Sequence, residues 1–214
     1  MPKECLLPGP EFGNPTTSVP LVMLCVTTFK RSFQTEVALP VNIGVTWKYR
    51  DRVAWAVVNF NGNSDSEALV NWFGENMQWP MEQGHVNLWC CKEPWTYFDC
   101  AVAKNTSHVA GIRSAAAMGQ ELEHVYLINV DGDNVITEAW LQSAMQRAQI
   151  ELASLPKAWV QSVKERDPSE AGLTALQGAP GLKVGTQWVN KEMGTFGRIG
   201  LPALVFSDMG GYDQ

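Results

Sequence analysis

Several things are scarce in this 214-residue chain, and each scarcity excludes something. No apolar run approaches the roughly 20 residues needed to cross a bilayer; Val19–Val26 and Ala54–Val58 are far too short. No Lys/Arg block occurs, and 16 basic against 22 acidic residues leave a net charge of −6, so no nucleic-acid partner is expected. Only 18% of residues are charged, less than usual, which leaves apolar surface for a partner or a ligand groove to cover. The cysteines are Cys5, Cys25, Cys90, Cys91 and Cys100. They are odd in number and lack C-x-x-C spacing, which suggests neither a zinc site nor a disulfide framework. Reduced thiols within apolar stretches fit a cytoplasmic protein. Met1–Pro20 is rich in Pro, Gly and Thr and shows no basic segment before an apolar one, so no secretory signal is expected. No G-x-G-x-x-G follows any strand-like run, which argues against a dinucleotide dehydrogenase.

What is present is the material of a packed core: 45% hydrophobic and 10% aromatic residues. The nine tryptophans suit either a core or sugar and protein contacts. Residues 1–18 read as a flexible leader and 19–214 as one domain. Leu21–Val26, Ala54–Asn59, His85–Cys91 and Val125–Val130 read as buried strands, and Leu182–Val189 and Phe196–Leu201 as two more. Helical patterns lie between them. One falls within Ser32–Arg52, with Pro40 kinking or ending it. A second is capped by Ser64 with Glu67 in a capping box. A short Ala-rich helix is capped by Asn105 or Thr106 and ends at Gly119, and a fourth is capped by Thr137 and ended by Pro156. This alternation predicts an α/β fold: a Rossmann-like open, mostly parallel sheet with helices on both faces.

In such a sheet ligands bind at the carboxyl ends of the strands. That directs attention to Thr27-Thr28, Asn59–Asp65, Lys104-Asn105 and, above all, Asp131-Gly132-Asp133. In an extended segment an i, i+2 pair projects both carboxylates to one side, and Gly132 leaves room for close approach. Two adjacent carboxylates favour a cation between them, and a hard ion bridging to phosphate oxygens would satisfy both. The alternative is an acidic turn whose side chains cap local N–H groups; the position directly after a buried strand favours the ion.

Four segments resemble the nucleotide-sugar-binding domain of GT-A fold glycosyltransferases of the inverting family-2 type. They are VMLCVTTFKR (22–31), AKNTSH (103–108), VYLINVDGDN (125–134) and GRIGLPALVFSDMGGYD (197–213), in the family's order. The resemblance implies transfer of a sugar from a nucleotide diphosphate sugar, a UDP-sugar in the first place, to the hydroxyl of an unnamed acceptor. It implies Mn²⁺ or Mg²⁺ held by Asp131 and Asp133, with Asp131 also near the ribose. Thr27, Thr28 and Asn61 would line the nucleotide pocket, Lys104 would approach the diphosphate, and Asn105 would support that loop. Asp213 would be the general base, with Gly210 and Gly211 letting the backbone approach substrate. Bland rivals stand beside these roles: a solvated Lys104, an N-capping Asn105, a strand-ending Thr27-Thr28, and for His108 an exposed helix position rather than a phosphate contact.

Two departures from the family pattern stand out. Its acidic turn after the second strand is here Asn59-Phe60-Asn61-Gly62-Asn63-Ser64-Asp65, where the amide of Asn61 both donates and accepts. Its late metal-ligating histidine has no counterpart, since the histidines are His85, His108 and His124. The acceptor site is therefore expected to be minimal, shared or absent. A GT-A-like module that binds a nucleotide sugar or a partner without catalysis is the alternative function. A nucleotidyltransferase is disfavoured because Thr27–Arg31 contains no glycine.

Overall fold

The computed structural model describes residues 19–61, 63–91, 99–153, 161–162 and 199–211. The expected leader, the strand at 182–189, Pro156 and Asp213 lie outside the described residues. Six strands form one sheet: β1 (Leu21–Thr28), β2 (Val53–Asn59), β3 (Val86–Cys90), β4 (Val125–Asp131), β5 (Gln161–Ser162) and β6 (Ile199–Pro202). Their order is β3-β2-β1-β4-β6-β5. The first four are mutually parallel, while β6 runs antiparallel to both β4 and β5. The four parallel strands are mostly apolar runs of the sequence, because a strand covered on both faces has no solvent side to mark with alternating polar residues; Asn87 and Asn129 are buried exceptions.

Two different cores cover the two faces. On one, Val22, Leu24, Val26, Trp55 and Val57 pack against large side chains of α1 (Ser32–Thr46), α2 (Asn63–Asn76) and α5 (Glu138–Ala153), among them Leu39, Phe73 and Trp140. A short α3 (Gln78–Glu82) leads from α2 to β3. On the other face the sheet presents Met23, Cys25, Ala54 and Ala56 to α4 (Cys100–Ala117) and α6 (Ala203–Asp208). Small residues on both sides let α4 lie close. A Cβ on Gly111 would stand 2.7 Å from Cys25 Sγ and 2.9 Å from Met23 Cγ.

Three helix boundaries differ from expectation. The first helix runs unbroken through Pro40, which is exposed, because the buried face of Ala38, Leu39, Asn42 and Ile43 holds it against the core. Ser64 lies inside α2 rather than before it, since the helix is already under way at Asn63. The fourth helix starts five residues before Asn105, where the Asp99 carboxylate accepts the Val102 N–H at 3.0 Å and caps it. The Thr137 cap is as expected, its hydroxyl accepting Trp140 N–H at 3.2 Å, and Gly119 ends α4 with φ +74°.

Candidate functional site

Strands β1, β2 and β3 march to one side of the sheet, and β4 returns to the other side of β1. The chain direction thus divides between β1 and β4, and their carboxyl ends open a crevice. The register places Thr27 directly opposite Asp131. Alternation along the two strands turns Thr27, Asn129 and Asp131 toward the α4 face, where Leu127 and Cys25 are already packed. Ser107 donates to Asn129 Oδ1 at 3.0 Å, and Gly111 sits over Leu127. Four helix residues advance about 6 Å and two strand residues about 6.6 Å, so the next step along this antiparallel packing sets Ala103 level with Asp131. Lys104, half-buried, follows one residue on in α4, and its charge acts on His108.

The acidic turn is built differently from the sequence expectation. Strand geometry stops at Asp131, and Gly132-Asp133 form a turn closed by Asn134 N–H donating to Asp131 C=O at 2.9 Å. The alternation rule that would aim both carboxylates to one side therefore does not reach Asp133. Its Oδ2 instead receives Arg31 Nη1 at 2.9 Å, a guanidinium 62% exposed on a carboxylate 15% exposed. Nor does Gly132 open toward a ligand. A Cβ there would meet Thr35 Oγ1 at 3.0 Å and the Thr27 carbonyl at 3.2 Å, so the missing side chain serves packing against β1 and α1. Asn42, buried on α1, completes the frame by donating to Asn134 C=O at 2.9 Å and accepting Ile136 N–H at 2.9 Å. Arg31, Thr35 and Asn42 thus hold the turn from the start and one face of α1, and sequence reading assigned none of them a role. The nearest signal was the polar Asn42 on the apolar face of that helix.

Asn61 is buried, and its amide is engaged within the protein. Its Oδ1 accepts Lys30 N–H, and its Nδ2 donates to Ser32 Oγ and Asn59 Oδ1, each at 2.9 Å. Lys30 takes φ +53°, a left-handed conformation disfavoured for a side-chain-bearing residue, and Asn61 clamps that turn at the end of β1. Thr28 is also buried, its hydroxyl on the α1 face without a partner among the described residues. Asn129 Nδ2, two residues before Asp131, is buried and unpartnered in the same sense.

Asn105 is buried in the second turn of α4 and meets the late Gly-Gly segment. Gly211 has φ +96°, and a Cβ on it would stand 2.8 Å from Asn105 Oδ1, so only glycine fits there. His108 is neither exposed nor at the rim. It is fully buried edge-on to Phe206, and burial, with a smaller contribution from the Lys104 charge, holds its pKa down to about 3. A neutral, enclosed imidazole is a core group and not a phosphate ligand.

The register sets Thr27 beside Asp131, Asp133 pairs with Arg31 at the start of α1, and Asn61 supports the β1–α1 turn. Among the described residues no group of three or more His, Cys, Asp or Glu could enclose a metal. Asp131 and Asp133 offer the carboxylate chemistry that suits Mg²⁺ or Mn²⁺, with Arg31 paired to Asp133 Oδ2 in this structure. No described helix is long and apolar enough to cross a membrane.

Fold and strand order define a Rossmann-like α/β domain. A mannosyltransferase from Pyrobaculum calidifontis, solved in complex with GDP-Man and Mn²⁺, matches with a TM-score of 0.51 at 16% identity. The match covers 92% of this chain and 48% of the other, so this chain spans about half the length of that neighbour. No protein-family model and no curated protein sequence matches.

Proposed function

We propose that the chain binds a nucleotide sugar in the β1/β4 crevice and transfers its sugar to an acceptor hydroxyl, as a glycosyltransferase. The observation that carries this reading is the juxtaposition of Thr27 with Asp131 at the point where the sheet reverses, with the braced turn bearing Asp133 directly behind it. The fold shared with a mannosyltransferase supports it.

In this reading Asp131 and Asp133 hold Mn²⁺ or Mg²⁺, which when bound supplies positive charge to the leaving diphosphate. Thr27 lines the nucleotide pocket, and Thr28, buried on the opposite face, supports the strand end beneath it. Lys104 adds charge for the diphosphate, which matters most as negative charge grows on the leaving group. Asn61 acts by holding the Lys30 turn rather than by reaching the base. Asn105 supports the Gly210-Gly211 segment, and Asp213 beyond it accepts the proton of the acceptor hydroxyl. Attack from the face opposite the diphosphate inverts the anomeric carbon. UDP- and GDP-sugars are both candidates for the donor, the second because the structural neighbour was solved with GDP-Man.

The test is a panel of nucleotide sugars with and without Mn²⁺, scored for binding and for slow release of nucleoside diphosphate, beside Asp133→Ala. Metal-dependent release that is lost in the variant is the expected result. Binding without turnover would instead identify a non-catalytic nucleotide-sugar module. Absence of binding to any donor, with or without metal, would reduce Asp131-Gly132-Asp133 to a turn and end the reading.

A further inference from the structure

Arg31 is the one cation paired with the acidic turn among the described residues, and its own geometry is asymmetric. Its Nη1 lies 2.9 Å from a mostly buried Asp133 oxygen while the guanidinium stays largely in solvent. It stands at the N-terminal boundary of α1, directly after the left-handed turn at Lys30 that Asn61 clamps. The backbone under it is therefore held, but its long stem is free to swing. Arg31 follows the end of β1 by three residues, at the strand ends where the proposed diphosphate would bind.

We propose that Arg31 is an exchangeable counter-ion: it holds Asp133 when no divalent ion is bound and transfers to the diphosphate of the donor when one is. This rests on the nucleotide-sugar reading above. The physical argument is charge balance. A carboxylate that is only 15% exposed keeps its orientation with a cation beside it, and Arg31 supplies that cation. A divalent ion on the same carboxylate repels the guanidinium, so the two compete for Asp133. The displaced guanidinium then finds its nearest new anion in the diphosphate, which a planar fork of N–H donors suits. One residue would thus hold the empty turn in shape and make the loaded site cooperative, since ion and diphosphate each favour the state in which the Arg31–Asp133 pair is open.

The predicted signature is a pair of effects of opposite sign. In Arg31→Gln, Mn²⁺ alone, followed by the electron paramagnetic resonance of free ion, should bind about two- to fivefold more tightly, the scale of an exposed ion pair. At saturating Mn²⁺, UDP or GDP, whichever the wild type binds, should bind about tenfold more weakly, the scale of one charge-assisted hydrogen bond. Arg31→Lys should recover most of that loss. A merely structural Arg31 would move both affinities in the same direction. Unchanged or weaker Mn²⁺ binding in Arg31→Gln, unchanged diphosphate binding, or no recovery in Arg31→Lys would each overturn the exchange while leaving the nucleotide-sugar reading intact. A wild type that binds neither probe would overturn both.

Discussion

The close seating of α4 on the sheet, on which the role proposed for Lys104 depends, can be tested with three identical substitutions. Gly44 on α1, Gly74 on α2 and Gly111 on α4 are all helical glycines. A Cβ at Gly44 or Gly74 meets nothing within 4 Å, so alanine there gains only its helix propensity, about 0.5–1 kcal/mol. At Gly111 the same Cβ meets Cys25 Sγ at 2.7 Å, Met23 Cγ at 2.9 Å and Leu127 Cδ2 at 3.2 Å. These atoms cannot retreat easily, because Cys25 and Met23 lie on the central strand β1 and their side chains are buried on every side. Overpacking of this kind costs about 1–3 kcal/mol, and two contacts below 3 Å place it at the upper end. Set against the propensity gain, Gly111→Ala should lose about 2 kcal/mol, or roughly 4–8 °C in Tm for a chain of this size. Gly44→Ala and Gly74→Ala should rise by about 1–4 °C on the same scale. Thermal and urea unfolding followed by circular dichroism reads all three. A Gly111→Ala protein as stable as Gly44→Ala would refute the seating of α4 and with it the position assigned to Lys104.

Other outcomes follow from the same coordinates. Asn42→Ala strands the Ile136 N–H and the Asn134 C=O beside the acidic turn, and should cost about 2–3 kcal/mol in urea unfolding and weaken Mn²⁺ binding together. Burial holds His85 at a pKa of about 4 in the folded state against an ordinary 6.5, while its Nε2 lies 2.9 Å from the Thr46 hydroxyl. Between those values the unfolded chain binds a proton that the folded chain does not, so stability is complete above 6.5 and falls as the pH drops toward 4. Moving from pH 7 to pH 5 should remove about 2 kcal/mol through this group, visible in urea midpoints. His108 acts in the same direction. A His85→Asn variant should show a shallower dependence, and a wild type with no slope over this range would show that His85 is not enclosed.

Much of the architecture was legible because its signals are local. Each parallel strand is a mostly apolar run, and a run of that kind needs no knowledge of its neighbours to be read. Thr137 caps its helix three residues away, and Gly119 ends one through its own backbone angle. The start of α4 was misplaced because Asn105 and Thr106 are good capping types, whereas the residue that caps is Asp99, whose carboxylate accepts the Val102 N–H. Pro40 is expected to kink or end its helix because local rules weigh its missing N–H and not the buried face that carries the helix past it.

The candidate site divides along the same line. The expectation that polar residues at the carboxyl ends of β1 and β4 form it came from the sequence alone, since a buried strand followed by Asp-Gly-Asp can be read whatever the surroundings. Tertiary structure alone decided what those residues face. The strand order puts Thr27 opposite Asp131. The end of strand geometry at Asp131 frees Asp133 to pair with Arg31, 102 residues earlier in the chain, and Asn42 reaches across 92 residues to hold the turn. Such partners carry no periodicity and no spacing, because the distance that joins them is set by how helix and sheet pack. Side-chain chemistry is written residue by residue, whereas the company each side chain keeps is a property of the folded chain.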